Sequence, residues 1–266
     1  MIIEKFKYFI LSKINASNSF VLNGIPVILS CTTKREKNRG NQYANPKKEP
    51  ETYEWIDRFF SGNEVFFDIG SNTGGYSLYC VMKHLRMKAF CFDPDVQNIA
   101  SLNKNIYLNN LNAKLTSVCA AISNKNKLSC FNMFNKRGLY EAGFAGNSVD
   151  SINNRSGSQN PVITLGAISL SMDSIVKDFG FPFPDHIKID VDGHEMSVID
   201  GAREVLSDER LKSIMIEGRY SDNVLIKQIE NHGFKRFTNF KNPIYYEMEK
   251  DEHVPADMGN MLFIRD

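Results

Sequence analysis

The chain has 266 residues, of which 42% are hydrophobic and 24% charged, and its formal net charge is +1. That composition supports a substantial core and excludes a disordered or fibrous chain, and the length suits one large domain with appendages or two small ones. A near-neutral charge gives no overall pull towards nucleic acid. The five cysteines form no CxxC or Cys/His cluster, which disfavours a zinc site or a disulfide scaffold and fits a reducing compartment.

Charge is unevenly placed. Residues 1–50 carry nine Lys/Arg and three Asp/Glu, a net of +6, which leaves −5 for residues 51–266. At the start, Ile2, Ile3, Phe6, Phe9 and Ile10 fall at helical spacing. Glu4, Lys5, Lys7 and Lys13 interrupt the apolar run that a signal peptide needs. No run of about 18 apolar residues occurs, so no transmembrane helix is expected and the chain reads as cytoplasmic. FVLNGIPVIL (20–29) predicts a hairpin around Asn23-Gly24. Residues 32–50 are polar, lack an apolar period and read as a loop or linker. Residues 1–50 are therefore expected to be a basic N-terminal appendage of helix, hairpin and linker. Its role is either to cover one edge of the main domain or to touch a membrane surface or anionic partner.

From residue 51 two periods alternate. YEWIDRFF (53–60) predicts a helix, EVFFDIG (64–70) a buried strand, GYSLYCVMKHL (75–85) a helix and KAFCFD (88–93) a second strand. A helix over 96–109 and a strand over 113–123 follow, and LSCFNMF (128–134) reads as an added strand. Residues 135–161, rich in Gly, Asn and Ser, read as a lid or a surface excursion within a 124–172 insertion. Strands at 186–191, 213–218, 234–240 and 259–266, with helices at 195–207 and 222–232, complete the pattern. Strands alternating with helices of this length indicate a doubly wound, mostly parallel α/β sheet.

In such sheets ligands bind beyond the carboxyl ends of the strands. Asp68-Ile-Gly70-Ser-Asn72-Thr-Gly74-Gly75-Tyr76 stands at such an end, and its glycines allow close approach of backbone to ligand. Neither the opening GxG of a dinucleotide fingerprint nor the GKS/GKT tail of a P-loop is present. Instead Asp68 stands at the loop entrance, and Asp93 ends the next strand, where it can accept hydrogen bonds from a ribose diol. Two carboxylates framing a glycine loop suit a cofactor with a ribose and an ammonium group but no phosphate, and S-adenosylmethionine fits that description.

Several motifs in order resemble the FkbM-type class I methyltransferases. Asp68-Ile-Gly70-Ser71-Asn72-Thr73-Gly74-Gly75-Tyr76-Ser77 resembles the family's DIGANxGxYS, and Phe92-Asp93-Pro94 with Asn98 and Asn105 resembles FEPxPxN...N. Cys119-Ala120-Ala121-Ile122-Ser123 resembles the third strand that borders the adenine, and Lys188-Ile-Asp190-Val-Asp192-Gly193-His194-Glu195 resembles KIDVEGHE. The resemblance implies a Rossmann-like fold with a seven-stranded sheet and an S-adenosylmethionine-dependent methyltransferase domain over residues 51–266. It also implies cofactor contacts from Asp68, Gly70, Asn72, Gly74, Tyr76, Ser77, Asp93, Pro94, Asn98, Cys119, Ala120 and Asp190. The implied reaction is methyl transfer to a hydroxyl of a sugar, polysaccharide or natural product.

Acceptor chemistry is expected where the fourth and fifth strands end, at Asp190, Asp192, His194 and Glu217. His194 suits a general base near neutral pH, Asp190 could orient it, and Glu217 faces the same rim. Asp192 and Glu195 also read as a capping box at a helix start. Asp190, Asp192 and Glu217 offer oxygen ligands to Mg²⁺, but the motif does not demand a metal and none is assigned. Two rival readings stand beside this one, with a nicotinamide dehydrogenase a distant third. One is RNA ribose methylation, with the basic arm gripping phosphates and with Lys188, Asp190 and Glu217 as fragments of a tetrad, although Lys188 is expected inside a buried strand. The other is a non-catalytic cofactor-binding scaffold. The acceptor and the oligomeric state stay open.

Overall fold

The computed structural model describes residues 16–133, 148–149, 163–241 and 257–265. The expected helix over residues 2–10, and residues 135–161 apart from 148–149, lie outside the described residues. Along the chain, a hairpin of β1 (Ser17–Leu22) and β2 (Ile25–Ser30) precedes α1 (Lys34–Ala44) and α2 (Pro50–Phe59). Next come β3 (Val65–Ile69), α3 (Gly75–Lys83), β4 (Lys88–Phe92), α4 (Val96–Leu108), β5 (Leu115–Val118) and β6 (Ala121–Ile122). Then follow β7 (Lys127–Met133), β8 (Ser148–Val149), β9 (Ile163–Leu170), α5 (Met172–Lys177) and β10 (His186–Ile189). The last elements are α6 (Glu195–Asp200), α7 (Arg203–Ser207), β11 (Ser213–Arg219), α8 (Asn223–Glu230), β12 (Lys235–Phe237) and β13 (Met258–Ile264).

The main sheet has seven strands in the order β12-β13-β11-β10-β3-β4-β5. Its five strands from β11 to β5 pair in parallel, and β13 is antiparallel to both β11 and β12. This is the expected doubly wound, Rossmann-like α/β sheet. Apolar residues of its strands feed two cores. Phe66, Cys91 and Met215 join Trp55, Leu78 and Leu102 in one, and Phe67, Ile187, Ile189 and Ile214 join Val198, Ile199 and Ile229 in the other. Burial on both faces explains why these strands read as continuous apolar runs.

The hairpin turns at Asn23-Gly24, both with positive φ (43° and 87°) as a two-residue hairpin turn requires. Its inner residues Leu22, Val27 and Leu29 are buried in the same core as Trp55. Asn109 fastens β2 to the end of α4, accepting from Ile28 N at 2.9 Å and donating to Ile28 O at 2.6 Å.

Three expectations need correction, and the added strand expected over 128–134 is present as β7. Residues 32–50 are no linker, because α1 occupies most of them. Thr33 and Glu36 form a reciprocal capping box, each side chain accepting from the other's backbone N–H at 3.1 Å. The buried face of α1 is polar, which erased the apolar period. Arg35 Nη2 reaches Asp95 at 2.8 Å and Asn98 at 2.5 Å, and Glu36 accepts from Ser101 Oγ at 2.8 Å. The strand expected over 113–123 is broken at Cys119-Ala120: β5 stays in the main sheet, while β6 joins a second sheet of order β6-β9-β7-β8. The 124–172 insertion therefore contains an ordered antiparallel pair, β7 with β9, registered from Lys127↔Ser169 to Met133↔Ile163. The helix expected over 195–207 splits into α6 and α7 at Gly201, where a Cβ would lie 2.1 Å from Ser123 O.

Candidate active site

Parallel pairing aligns the carboxyl ends of β10, β3 and β4, and their loops meet there. In register, Lys188 lies beside Asp68, and Asp68 beside Cys91. The chain leaving β3 turns sharply at Gly70, with φ 80° and its N–H bonded to Phe92 O at 2.8 Å. A Cβ at Gly70 would lie 1.8 Å from Asp190 O, so only glycine lets these two loops touch. Asn72 also has positive φ, 52°, and Gly74 caps α3 with φ 80°.

Asp68 is buried and accepts from Ser77 Oγ at 2.6 Å. Burial pushes its carboxyl up to about 6, against the pull of Lys188. Asp93 is buried as well, and its oxygens accept from Asn72 N (2.9 Å), Asp95 N (2.8 Å) and, at 3.1 Å each, from Asn98 Nδ2. Burial lifts this carboxyl to about 6 too. Asn98 spreads one amide over both oxygens, so Asp93 can exchange one of those longer bonds for a ligand hydroxyl. Pro94 O lies 4.0 Å from Cys119 Sγ, and buried Ala120 follows, which places the break after β5 beside Asp93. Asn105, another residue of the resemblance, links the glycine loop to the hairpin, donating to Thr73 O at 3.0 Å and accepting from Ser30 N at 2.8 Å.

A second group of charges stands at the ends of β10 and β11. Lys188 is buried and donates to Asp190 Oδ2 at 2.7 Å. Burial pushes the Asp190 carboxyl up, but Lys188 outweighs it and holds the group at about 2. Glu217 shares a hydrogen bond with Asp190, and the Asp190 charge, with burial second, lifts Glu217 to about 9. At neutral pH the pair therefore holds one proton between its two carboxyls. One carboxylate oxygen each from Asp190, Asp192 and Glu217 lie within 4.8 Å of one another. These are donors a hard cation accepts, and Lys188 already bonds one oxygen of Asp190.

The expected capping box at Asp192 and Glu195 is not formed. Asp192 is exposed with φ 51°, His194 is the N-cap residue of α6, and Glu195 Oε1 accepts from Gly193 N at 2.9 Å instead. His194 thus stands at the start of α6, four residues beyond Asp190, on the loop that carries Asp192.

Two site residues come from the segment expected to be a linker. Glu49, in the left-handed region at φ 49°, pairs with Lys48 at 2.9 Å and approaches Lys188 at 3.9 Å. Tyr76 is buried, and its ring carries Lys188 Nζ 5.2 Å from the centroid. The sole sequence signal for Glu49 is its place before Pro50, the first residue of α2.

The methyltransferase FkbM domain matches residues 68–243 of the chain. The chain belongs to this methyltransferase family. A search of curated proteins returns no match. Among solved structures, the chain is similar to precorrin-6y C5,15-methyltransferase from Geobacter metallireducens GS-15, at 14% identity and a TM-score of 0.45 over 82% of this chain and 90% of that one. It is similar to M. capricolum TrmK in complex with S-adenosyl-homocysteine, at 10% identity and 0.46 over 81% and 67%. It is also similar to P. horikoshii TYW2 in complex with MeSAdo, at 12% identity and 0.48 over 94% and 70%. The FkbM match spans the glycine loop, Asp93 and the Asp190–Glu217 pair together.

Proposed function

We propose that the protein binds S-adenosylmethionine at the β3–α3 loop and transfers its methyl group to a hydroxyl of a saccharide or natural product. The observation that carries the cofactor assignment is a cradle with unmet polar atoms. Ser71 Oγ and Asn72 Oδ1, in the loop that follows Asp68, are buried without a hydrogen-bond partner among the described residues. Buried polar atoms are costly unless paired, so this loop is shaped for a polar ligand. When bound, S-adenosylmethionine supplies an electrophilic methyl on a sulfonium centre.

In this reading Asp93, Asn98 and Pro94 hold the ribose, Cys119 and Ala120 border the base, and Gly70, Asn72, Gly74 and the Asp68–Ser77 pair line the remainder. Tyr76 forms the floor beneath Lys188. The Asp190–Glu217 pair meets the acceptor: the proton held by the pair is donated to a neighbouring oxygen, and Asp190 orients His194, which accepts the hydrogen bond of the reacting hydroxyl. His194 takes the proton as the oxygen becomes an ether. No metal ion is assigned, because Lys188 already neutralises Asp190.

Calorimetry with S-adenosylhomocysteine and NADH tests the first half. Binding of the nucleoside thioether alone is expected, and binding of NADH alone would refute it. For the second half, tritium from methyl-labelled cofactor is followed into a panel of saccharides, polyketide alcohols and tRNA. Label in a saccharide or alcohol is expected; label confined to RNA overturns the acceptor assignment. His194→Ala should leave cofactor affinity unchanged and lower turnover by about 10²–10⁴.

A further inference from the structure

If the cofactor is S-adenosylmethionine, as proposed above, its methionine end poses a charge problem. That end carries an ammonium and a carboxylate. The rim it must enter is rich in acids, with Asp68, Asp93, Asp190, Asp192 and Glu49 all near the loop junction. The ammonium and the sulfonium suit those acids, whereas the carboxylate needs a cation or it is repelled.

Among the described residues, three cations reach this rim. Lys188 is committed to Asp190 at 2.7 Å and Lys48 to Glu49 at 2.9 Å. The third is Arg39 of α1. Its Nε is buried without a hydrogen-bond partner, and it makes no ion pair among the described residues. Its guanidinium carbon lies 5.8 Å from the Tyr43 ring, one turn further along α1. That ring closes on the end of the glycine loop: a Cβ at Gly75 would lie 2.4 Å from it, and it packs edge-on against Tyr76 at 5.4 Å. Burial pushes both the Asp192 carboxyl and the Tyr43 phenol up, and Arg39 is near enough for its charge to offset part of that rise. It therefore stands between the glycine loop and the tip of the loop after β10. The helix beneath it is held to α4 by the Arg35–Asp95, Arg35–Asn98 and Glu36–Ser101 contacts, so the guanidinium is mounted on a fixed element.

We propose that Arg39 is a cofactor-binding residue that receives the carboxylate of the methionine end, with the unpartnered Ser71 hydroxyl donating the second hydrogen bond. A planar guanidinium fork suits a carboxylate, and an arginine already in place costs little to order. The same fork would accept a carboxylate carried by the acceptor, so the test separates the two sources.

The full chain and its Arg39→Ala and Arg39→Lys variants are titrated calorimetrically with three probes: S-adenosylhomocysteine, its decarboxylated analogue and 5′-methylthioadenosine. Arg39→Ala should weaken S-adenosylhomocysteine about ten- to a hundredfold, the scale of a hydrogen bond to a charged group. The two probes without a carboxylate should keep their wild-type affinity, and Arg39→Lys should recover part of the loss. Equal weakening of all three probes would make Arg39 a structural support and overturn the assignment. Unchanged S-adenosylhomocysteine binding would overturn it as well, leaving an acceptor carboxylate as the partner of Arg39. A wild-type chain that binds none of the three refutes the cofactor reading itself, independently of Arg39.

Discussion

At the scale of single residues, Asp93 shows how one carboxylate couples folding to ligand chemistry. It is buried among the Asn72, Asp95 and Asn98 donors, and burial lifts it from 3.8 to about 6. The folded state therefore binds the proton more tightly than the unfolded one. Its stabilising contribution is complete below the unfolded value and is lost as pH rises through about 6. At 1.36 kcal/mol per unit, that loss is on the order of 3 kcal/mol by neutral pH. Asp68 titrates in the same direction for the same reason. The ligand-free protein should accordingly melt at a lower temperature at pH 7.5 than at pH 5. Asp93→Asn should flatten that dependence and weaken S-adenosylhomocysteine binding by about 1–3 kcal/mol. Scanning fluorimetry across pH reads the first effect and calorimetry the second; an unchanged affinity would remove Asp93 from the ribose contact. Asp68, Asp93 and Asp190 could be found in the sequence because each ends a continuous apolar strand, where a lone acid stands out. Glu49, Lys48 and Arg39 could not, because a run of mixed charges has no period, and only the packing of α1 and α2 brings them to the rim.

At the scale of the element, α1 is a helix that local propensity alone would not support. KREKNRGNQYA has an internal glycine, no apolar stripe and, at 11 residues, a length that is marginal for an isolated helix. A capping box at one end and the contacts to α4 hold it. Arg35 faces Asp95, whose side chain is 2% exposed, so removing the arginine leaves a buried carboxylate without its cation. Arg35→Ala should cost about 3–5 kcal/mol and Thr33→Ala about 1 kcal/mol in urea unfolding. Equal, small losses would mean that α1 is held by other contacts. Elements buried through apolar faces were the readable ones: β3, β4, β10, β11 and the hairpin all stand close to their expected positions. A helix buried through ion pairs and hydrogen bonds has no hydrophobic period to read, which is why residues 32–50 resembled a linker. The break at Cys119-Ala120 escaped for a different reason. An apolar run shared between two sheets looks the same as one strand, since the pairing partners, rather than the run, decide where it divides.

At the scale of the whole molecule, the division of charge between residues 1–50 and the remainder changes meaning. Of the described basic residues in that segment, Arg35 is paired with Asp95 and Lys48 with Glu49. The Arg35 and Lys48 charges neutralise internal acids and are not free to grip a polyanion. Among the described residues, no helix is long and apolar enough to cross a membrane. The hairpin and α1 also place Leu22, Val27, Leu29 and Tyr43 in the core that holds Trp55 and Leu78. Burying four such side chains stabilises the fold by roughly 6–12 kcal/mol, at about 1.5–3 kcal/mol each. That is comparable with the whole stability of an ordinary domain, about 5–15 kcal/mol. We therefore propose that residues 16–49 are an integral layer of the methyltransferase domain. A chain beginning at residue 50 should lose cooperative unfolding by circular dichroism and bind a hydrophobic dye. Deleting the segment to test RNA or membrane contact would then report unfolding, so substitutions at exposed lysines such as Lys37 are the sound test of either partner. A truncated chain that melts cooperatively within a few degrees of the intact protein would restore the appendage, and with it a basic arm separable from the catalytic fold.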